Sequence, residues 1–378
     1  MLKTVSIHGF KSIERQTIEL APLNILIGAN GSGKSNLLQA LFFFRAAIPE
    51  TLRTLVQKLG GADRLLHHGK KITGACYLAC RGDRFFYEKT LVPTAGDGLT
   101  ISEERISASA MGEGATPFDI KIARPGDHLH GAIAYYLDKA VAAGKRTEEE
   151  ARLVLDAFTL AQQNIEGWRL YHFHDTSDTA AVKSDCNIND NRYLRENASN
   201  LAAYLYWLKQ RHPVPYRQIV STLRLAAPYF DDFILEPSRH NERMIHLEWK
   251  HKYSDAYFDA DALSDGTLRF MALTTLLNQP ADALPSFIVI DEPELGLHPL
   301  AIRLLAEMLD VASQYTQILV ATQSVTLVDH FSLDRIIVVD HHERGSQFRR
   351  LREADYQHWL EDFSTGELWE KNVLGGRP

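Results

Sequence analysis

Cysteine is scarce, with three residues in a chain of 378. Three cannot build a disulfide framework, and reduced thiols fit a cytosolic protein. Long apolar runs are also missing. None approaches the roughly 18 to 20 residues that a membrane span needs, so no membrane association is expected. The start, Met1-Leu2-Lys3-Thr4-Val5-Ser6-Ile7-His8, reads as a strand and lacks the apolar core of a signal peptide. Positive charge is not in excess: 41 basic residues face 48 acidic ones, a formal net charge of −7. A polyanion-binding field over the whole protein is thereby excluded, and any DNA contact must come from a local basic patch. Internal repeats, low-complexity segments and sustained heptads are absent, which excludes a long coiled-coil arm. What is present is ordinary for a globular chain, with 45% hydrophobic and 24% charged residues. The length allows two or three structural units, or one large domain with an insertion.

Hydrophobic patterning divides the chain. Leu2 to Gly9 and Thr17 to Leu20 read as strands, and Leu23-Asn24-Ile25-Leu26-Ile27 is a short apolar run ending in glycine. A helix is expected from near Ser35, with Leu37, Leu38, Leu41 and Phe42 on its apolar face. Residues 72–124 look β-rich, with turn signals at Arg81-Gly82-Asp83 and Gly96-Asp97-Gly98. Residues 127–228 look helical. Two strands should flank the turn Ser238-Arg239-His240-Asn241, the second alternating Ile245, Leu247 and Trp249 with polar residues. Further on, Phe287-Ile288-Val289-Ile290, Ile318-Leu319-Val320-Ala321 and Ile336-Ile337-Val338-Val339 are continuous apolar runs between helical stretches. Such runs suit strands buried on both faces of a parallel sheet. The Ile25 run is a fourth candidate, so one sheet should draw on both ends of the chain.

Gly28-Ala29-Asn30-Gly31-Ser32-Gly33-Lys34-Ser35 fits G-x-x-x-x-G-K-[ST] in full, after an apolar strand and before an amphipathic helix. Glycines let the backbone curl so that successive N–H groups point at phosphate oxygens, and a helix N-terminus adds partial positive charge. Asn30, Gly31, Ser32, Gly33, Lys34, Ser35 and Asn36 are the candidate nucleotide contacts. Lys34 should reach the β- and γ-phosphates, and the Ser35 hydroxyl should ligate Mg²⁺. The Phe287 run ends in Asp291-Glu292. A carboxylate at a strand end beside the phosphate loop can hold Mg²⁺, a role assigned to Asp291. Glu292 is placed to orient and deprotonate an attacking water. Lys34 and Asp291 stand 257 positions apart. Both must meet at one nucleotide, so the intervening chain leaves the sheet and returns.

Ala262-Leu263-Ser264-Asp265-Gly266-Thr267-Leu268-Arg269 resembles the signature motif of ABC-type ATPases. Glu292-Pro293-Glu294-Leu295-Gly296-Leu297-His298-Pro299 resembles the stretch after the second Walker motif in the RecF, SMC and OLD (overcoming lysogenisation defect) group. Gly9-Phe10-Lys11-Ser12-Ile13 resembles the N-terminal strand and turn of that group. Residues 366–378 resemble a subfamily of predicted AAA-family ATPases found in bacteria. The resemblance implies an α/β P-loop NTPase fold: an ABC-type ATPase head with a mainly parallel core sheet, a β-rich lobe and a helical insertion. The implied parts are residues 1–126 (phosphate loop and β-rich lobe), 127–228 (helical insertion) and 229–378 (signature and second Walker motif). It also implies ATP and Mg²⁺ as cofactors. Such heads pair head to tail and sandwich two ATP molecules, so a homodimer or a higher oligomer is expected. Ser264 and Gly266 would grip the γ-phosphate in trans, and Lys11 and Ser12 would lie near the nucleotide in cis. The signature departs from the usual one at Asp265 and Thr267. Gln323, in Ala321-Thr322-Gln323-Ser324, stands where relatives usually place a histidine. Its amide can donate to the γ-phosphate or water but does not titrate near neutral pH.

Other clusters are read structurally. His67, His68, Cys76 and Cys80 fit no zinc template and are expected to be buried. His174 and Asp175 read as a surface strand end, with an approach to the nucleotide as the alternative, and Tyr204 with Trp207 as core rather than a base-stacking platform. Arg349, Arg350 and Arg352 read as a solvated face, with a phosphate-backbone contact as the alternative. The expected function is ATP binding and slow hydrolysis by Lys34, Glu292 and Gln323, coupled to dimerisation. About 39 residues follow the Ile336 run, too few for a nuclease domain. An effector such as a nuclease or toxin is therefore expected to be a separate protein, in anti-phage defence or DNA repair. The alternatives are an ABC transporter subunit and an ATP-dependent assembly scaffold.

Overall fold

The computed structural model describes residues 1–83, 85–108, 118–122, 129–144 and 147–377. Strands β1 (Leu2–Phe10) and β2 (Ile13–Glu19) pair antiparallel, from Thr4 opposite Glu19 to Phe10 opposite Ile13. β3 (Leu23–Ile27) then enters a different sheet, and α1 (Lys34–Ala46), α2 (Pro49–Lys58) and α3 (Ala62–Leu65) follow. The chain returns to the first sheet through β4 (Cys76–Gly82), β5 (Phe85–Pro93), β6 (Leu99–Ala108) and β7 (Phe118–Ile122). This antiparallel lobe has the order β2-β1-β4-β5-β6-β7. Both expected turns lie where the β4–β5 and β5–β6 connections are. Of the four residues expected to be buried, His67, Cys76 and Cys80 are, whereas His68 is exposed, and burial pushes the Cys76 thiol up to about 12. Lys89 ties the lobe to α1: its buried Nζ donates to the Ala47 carbonyl at 2.6 Å and stands 3.6 Å from Glu104.

Helices α4 (Leu129–Ala142) and α5 (Glu148–Glu166) precede β8 (Trp168–Tyr171). Then come β9 (Cys186–Asn187), α6 (Leu201–Arg211), α7 (Pro213–Ala226) and β10 (Phe230–Ile234). Next are β11 (Pro237–Ser238), β12 (Asn241–Ile245), β13 (Glu248–His251) and β14 (Tyr257–Asp259). The last third holds α8 (Asp265–Leu277), β15 (Phe287–Asp291), α9 (Pro299–Ala312), β16 (Gln317–Thr322) and α10 (Val325–Val328). It ends with β17 (Ile336–His342), β18 (Gly345–Arg350), α11 (Gln357–Leu360) and α12 (Thr365–Glu370).

The core sheet runs β18-β17-β3-β16-β15-β8, parallel throughout except for β18. Successive residues point to opposite faces, and each face has its own core. Ile25, Ile27, Ile288, Ile290, Ile318, Val320, Ile336 and Val338 face the side covered by α6, α7, α8 and α9. Leu26, Phe287, Val289, Leu319, Ala321, Ile337 and Val339 face α1 and the antiparallel lobe. Two buried faces explain why these strands read as unbroken apolar runs. The four runs expected in one parallel sheet are its β3, β15, β16 and β17.

Three details differ from the sequence reading. The stretch read as helical contains β8, an edge strand of the core sheet beside β15. Its four residues are too few to carry a period-2 signal. The alternation through Ile245, Leu247 and Trp249 belongs to two strands. β12 pairs with β9 and β11, whereas β13 pairs with β10 and β14. The pattern survives because all three side chains enter one core. On α1, Phe42 is only half-buried under the Arg45 guanidinium, and Phe43 and Phe44 fill the core instead. The expected boundary at residues 126–127 lies outside the described residues. Among the described residues, no helix is long and apolar enough to cross a membrane.

Candidate functional site

Parallel register brings the distant motifs together. Asp291 on β15 stands opposite Ala321 on β16, and Thr322 stands opposite Ile27 on β3. The phosphate loop, the Asp291-Glu292 pair and Gln323 therefore leave the sheet from the same ends of neighbouring strands.

The loop between β3 and α1 is built for an anion. Gly33 precedes the first residue of α1 with φ 116°, no side chain caps the helix, and no acidic residue occupies its first turn. Its first N–H groups are left for a ligand, with the helix dipole behind them. A Cβ at Gly33 would come 2.0 Å from Ser346 Oγ, so only glycine fits there. Lys34 is 6% exposed and its Nζ donates to the loop's own carbonyls, Gly28 at 2.6 Å and Ala29 at 3.0 Å. Burial holds the Lys34 ammonium below its usual range, partly offset by Glu292, Asp291 and Glu294. Ser32 Oγ is buried without a hydrogen-bond partner. A phosphate supplies what each of these groups is short of: acceptors for Ser32 and the helix N–H groups, and an anion for Lys34. Ser35 is exposed at the helix start, and Asn30 and Gly31 rim the loop.

The carboxylates sit opposite. Burial raises the Asp291 carboxyl above its usual range, opposed chiefly by His172. Glu292 has φ 42°, a left-handed backbone that a non-glycine residue adopts at a cost of about 1–3 kcal/mol. Its N–H donates to the Ala321 carbonyl at 2.7 Å, and its Oε1 accepts from Gln323 Nε2 at 2.5 Å. Ser35 and Asp291 are the hard oxygen donors suited to Mg²⁺.

The remaining expected contacts are placed differently. Lys11 donates from Nζ to Gln39 Oε1. Ser12 lies against the loop's supports: its Oγ accepts from Asn36 Nδ2 at 2.7 Å and lies 2.7 Å from Ser346 Oγ. Ser264 caps α8, accepting from Thr267 N at 3.2 Å, and is exposed. A Cβ at Gly266 would come 2.2 Å from the Gly296 carbonyl, so this helix start is pressed onto the loop after Glu292. Among the described residues, no hydrogen bond joins Ser264 or Gly266 to the phosphate loop.

Two family models match the chain. One, described as "AAA ATPase domain", covers residues 1–94. The other, described as "AAA domain, putative AbiEii toxin, Type IV TA system", covers residues 146–329. Among solved structures, the chain is similar to the SmcHead bound to the C-winged helix domain of ScpA. That match has a TM-score of 0.56 and 15% identity, covering 94% of this chain and 99% of the other. It is also similar to an Smc head domain with an extended coiled coil bound to the C-terminal domain of ScpA, derived from Pyrococcus furiosus. There the TM-score is 0.53 at 15% identity, covering 96% of this chain and 98% of that one. The fold is that of the SMC heads, an α/β P-loop fold. No curated protein matches the chain.

The site also holds residues to which the sequence reading gave no role there, together with His174, whose approach to the nucleotide was only the alternative reading. Arg269 leaves α8 and spends its guanidinium on three backbone carbonyls: Phe173 at 3.0 Å, His174 at 2.8 Å and Leu295 at 2.8 Å. His174, expected at a surface strand end, donates from Nε2 to the Asp291 carbonyl at 2.8 Å. It is half-buried, whereas Asp175 is exposed and holds Ser177. Glu294 Oε1 accepts from Thr322 Oγ1 at 2.6 Å and from Gln323 N at 3.3 Å, and burial raises its carboxyl above the usual range. Ser346 donates to the Ser32 carbonyl at 2.5 Å. A single basic residue inside the largely apolar α8 was the available signal for Arg269. For His174 it was the histidine pair after a short Trp-Tyr strand.

Proposed function

We propose that this head binds ATP with Mg²⁺, hydrolyses it slowly, and uses the nucleotide to pair two copies head to tail. The observation that carries this reading is the convergence of the phosphate loop, Asp291-Glu292 and Gln323 at adjacent strand ends, with Gln323 hydrogen-bonded to Glu292. Lys34 and the first N–H groups of α1 bind and orient the phosphate chain. Ser35 and Asp291 would hold Mg²⁺, which when bound offsets charge on the transferred phosphoryl oxygens. Glu292 accepts the proton of the attacking water as its oxygen bonds to the γ-phosphorus and ADP leaves. Gln323 fixes the Glu292 carboxylate and does not titrate near neutral pH. Ser264, exposed at the start of α8, meets the γ-phosphate held by the other copy, with Gly266 beside it.

The paired and unpaired states switch a separate effector protein, such as a nuclease or toxin, in cytoplasmic anti-phage defence or DNA repair. The wording of the matched AAA model, which names a toxin of a Type IV TA system, and the ScpA-bound state of the SMC heads support a protein partner. The test is ATP turnover and gel filtration with ATP and Mg²⁺, using Lys34→Ala as the blank, with and without linear duplex DNA. Glu292→Gln should bind ATP and elute as a dimer. Hydrolysis by that variant at the wild-type rate would remove Glu292 as the base. Stimulation by DNA would make nucleic acid the coupled element in place of a protein.

A further inference from the structure

The segment after α12 takes no part in the reaction just described, yet it is fastened to the core at three points. Trp369, fully buried, donates from Nε1 to the Gly376 carbonyl at 2.6 Å. Gly376 N donates to Asp340 Oδ1 on β17 at 2.7 Å. Arg349 on β18 donates from Nη2 to the Leu374 carbonyl at 2.7 Å. These bonds fold Leu374-Gly375-Gly376 back over the end of the sheet from which the phosphate loop emerges.

What the segment presses on is the loop itself. A Cβ at Gly376 would lie 3.4 Å from Gly28 Cα, 3.5 Å from the Val339 carbonyl and 2.6 Å from Val338 Cγ1. Gly28 is the first glycine of the phosphate loop. Gly375 and Gly376 have φ of 82° and 59°, a region that favours glycine. A side chain at 376 would collide with Val338 and lift the segment off Gly28. The next residue is Arg377, one Cα step of about 3.8 Å further on. It is exposed, and among the described residues it makes no hydrogen bond or ion pair. Nearby arginines are spent: Arg349 on the Leu374 carbonyl, Arg350 on the carbonyls of Glu19 and Asp334.

We propose that Gly375-Gly376 is a seat on the phosphate loop from which Arg377 reaches the phosphate chain of the bound nucleotide, adding a guanidinium in cis. Its planar fork suits two phosphate oxygens at once, which a lysine cannot match. The proposal rests on the nucleotide-binding reading above.

The test is titration of the full chain with a fluorescent ATP analogue in Mg²⁺, alongside competition by adenosine, which lacks phosphates. Arg377→Gln should weaken ATP binding about tenfold, the size expected for a charge-assisted hydrogen bond. Arg377→Lys should recover part of that loss, adenosine competition should not change, and the melting temperature without nucleotide should stay at the wild-type value. Arg377→Gln binding ATP within about twofold of wild type, while Lys34→Ala loses it, would overturn the proposal and leave the nucleotide reading standing. Failure of that reading looks different: wild type and Lys34→Ala would bind ATP equally poorly, and the proposal would fall with it.

Discussion

The two parts of the candidate site are finished to different degrees. Around the phosphate loop three side chains are tied down, while Ser32 Oγ and the first N–H groups of α1 stay open for a ligand. Lys34 is folded onto the loop carbonyls, Ser346 bridges the loop to Ser12, and Gln323 holds Glu292. Around the signature, Ser264 is exposed and, among the described residues, its hydroxyl meets only Thr267, with the Tyr229 hydroxyl 3.1 Å from Thr267 Oγ1. A capping hydroxyl contributes about 1 kcal/mol to its helix and remains able to meet an anion at the same helix start. The difference teaches that one part is preorganised by its own chain and the other is left available. Gly266 on Gly296 and the Arg269 clamp are what join them within one copy.

The largest effect should come from breaking the preorganised part. Glu292→Gln should cut turnover about a hundredfold, the usual weight of a positioned general base. ATP binding should persist, since the phosphate loop is untouched. A single-turnover assay separates the two. Next comes the joint. Arg269→Gln removes a charged donor from three backbone carbonyls, at a cost of about 3 kcal/mol in denaturant unfolding. It should also lower turnover more than it lowers ATP affinity, because the Phe173–His174 segment bears on the Asp291 carbonyl. Equal losses in both would mean that Arg269 only stabilises the fold.

How much of this was legible depended on how local each feature is. The phosphate loop is eight contiguous residues with a strand before and a helix after. Asp291-Glu292 closes an apolar run. The parallel sheet was readable because burial on both faces leaves unbroken runs. β8 was not, because four residues carry no period and its partner β15 lies more than a hundred positions on. Arg269 escaped notice because its partners are backbone carbonyls, which no residue type announces. Ser346 and the seat of Gly376 on Gly28 were hidden for a related reason: each is a close approach between opposite ends of the sequence. The arginine cluster reads as a solvated face, and Arg349 is indeed exposed, but its guanidinium and that of Arg350 are occupied by backbone carbonyls, which the sequence does not announce.

The available part should be the less sensitive one when a single copy is measured. Ser264→Ala should cost about 1 kcal/mol of stability through the lost cap and leave ATP binding by the monomer unchanged. Its deficit should appear only on pairing, as an ATP-dependent dimer about tenfold weaker by sedimentation. Monomer ATP affinity falling as much as dimerisation would contradict a role in trans.

The smallest effect, and the finest comparison, is at Gln323. Its Nε2 donates to Glu292 Oε1, and a neutral histidine at this position also has a ring N–H to donate. Gln323→His should therefore keep turnover within about threefold of wild type at pH 8. Below about pH 6.5, the ordinary histidine range, the ring gains a proton and a charge beside Glu292. That charge favours the ionised carboxylate and weakens it as a base, so the ratio of variant to wild-type turnover should fall as the pH drops. The ratio cancels groups that titrate alike in both proteins. A ratio that stayed flat from pH 8 to pH 6 would mean that residue 323 does not govern the base, and that the hydrogen bond to Glu292 merely packs the end of β16.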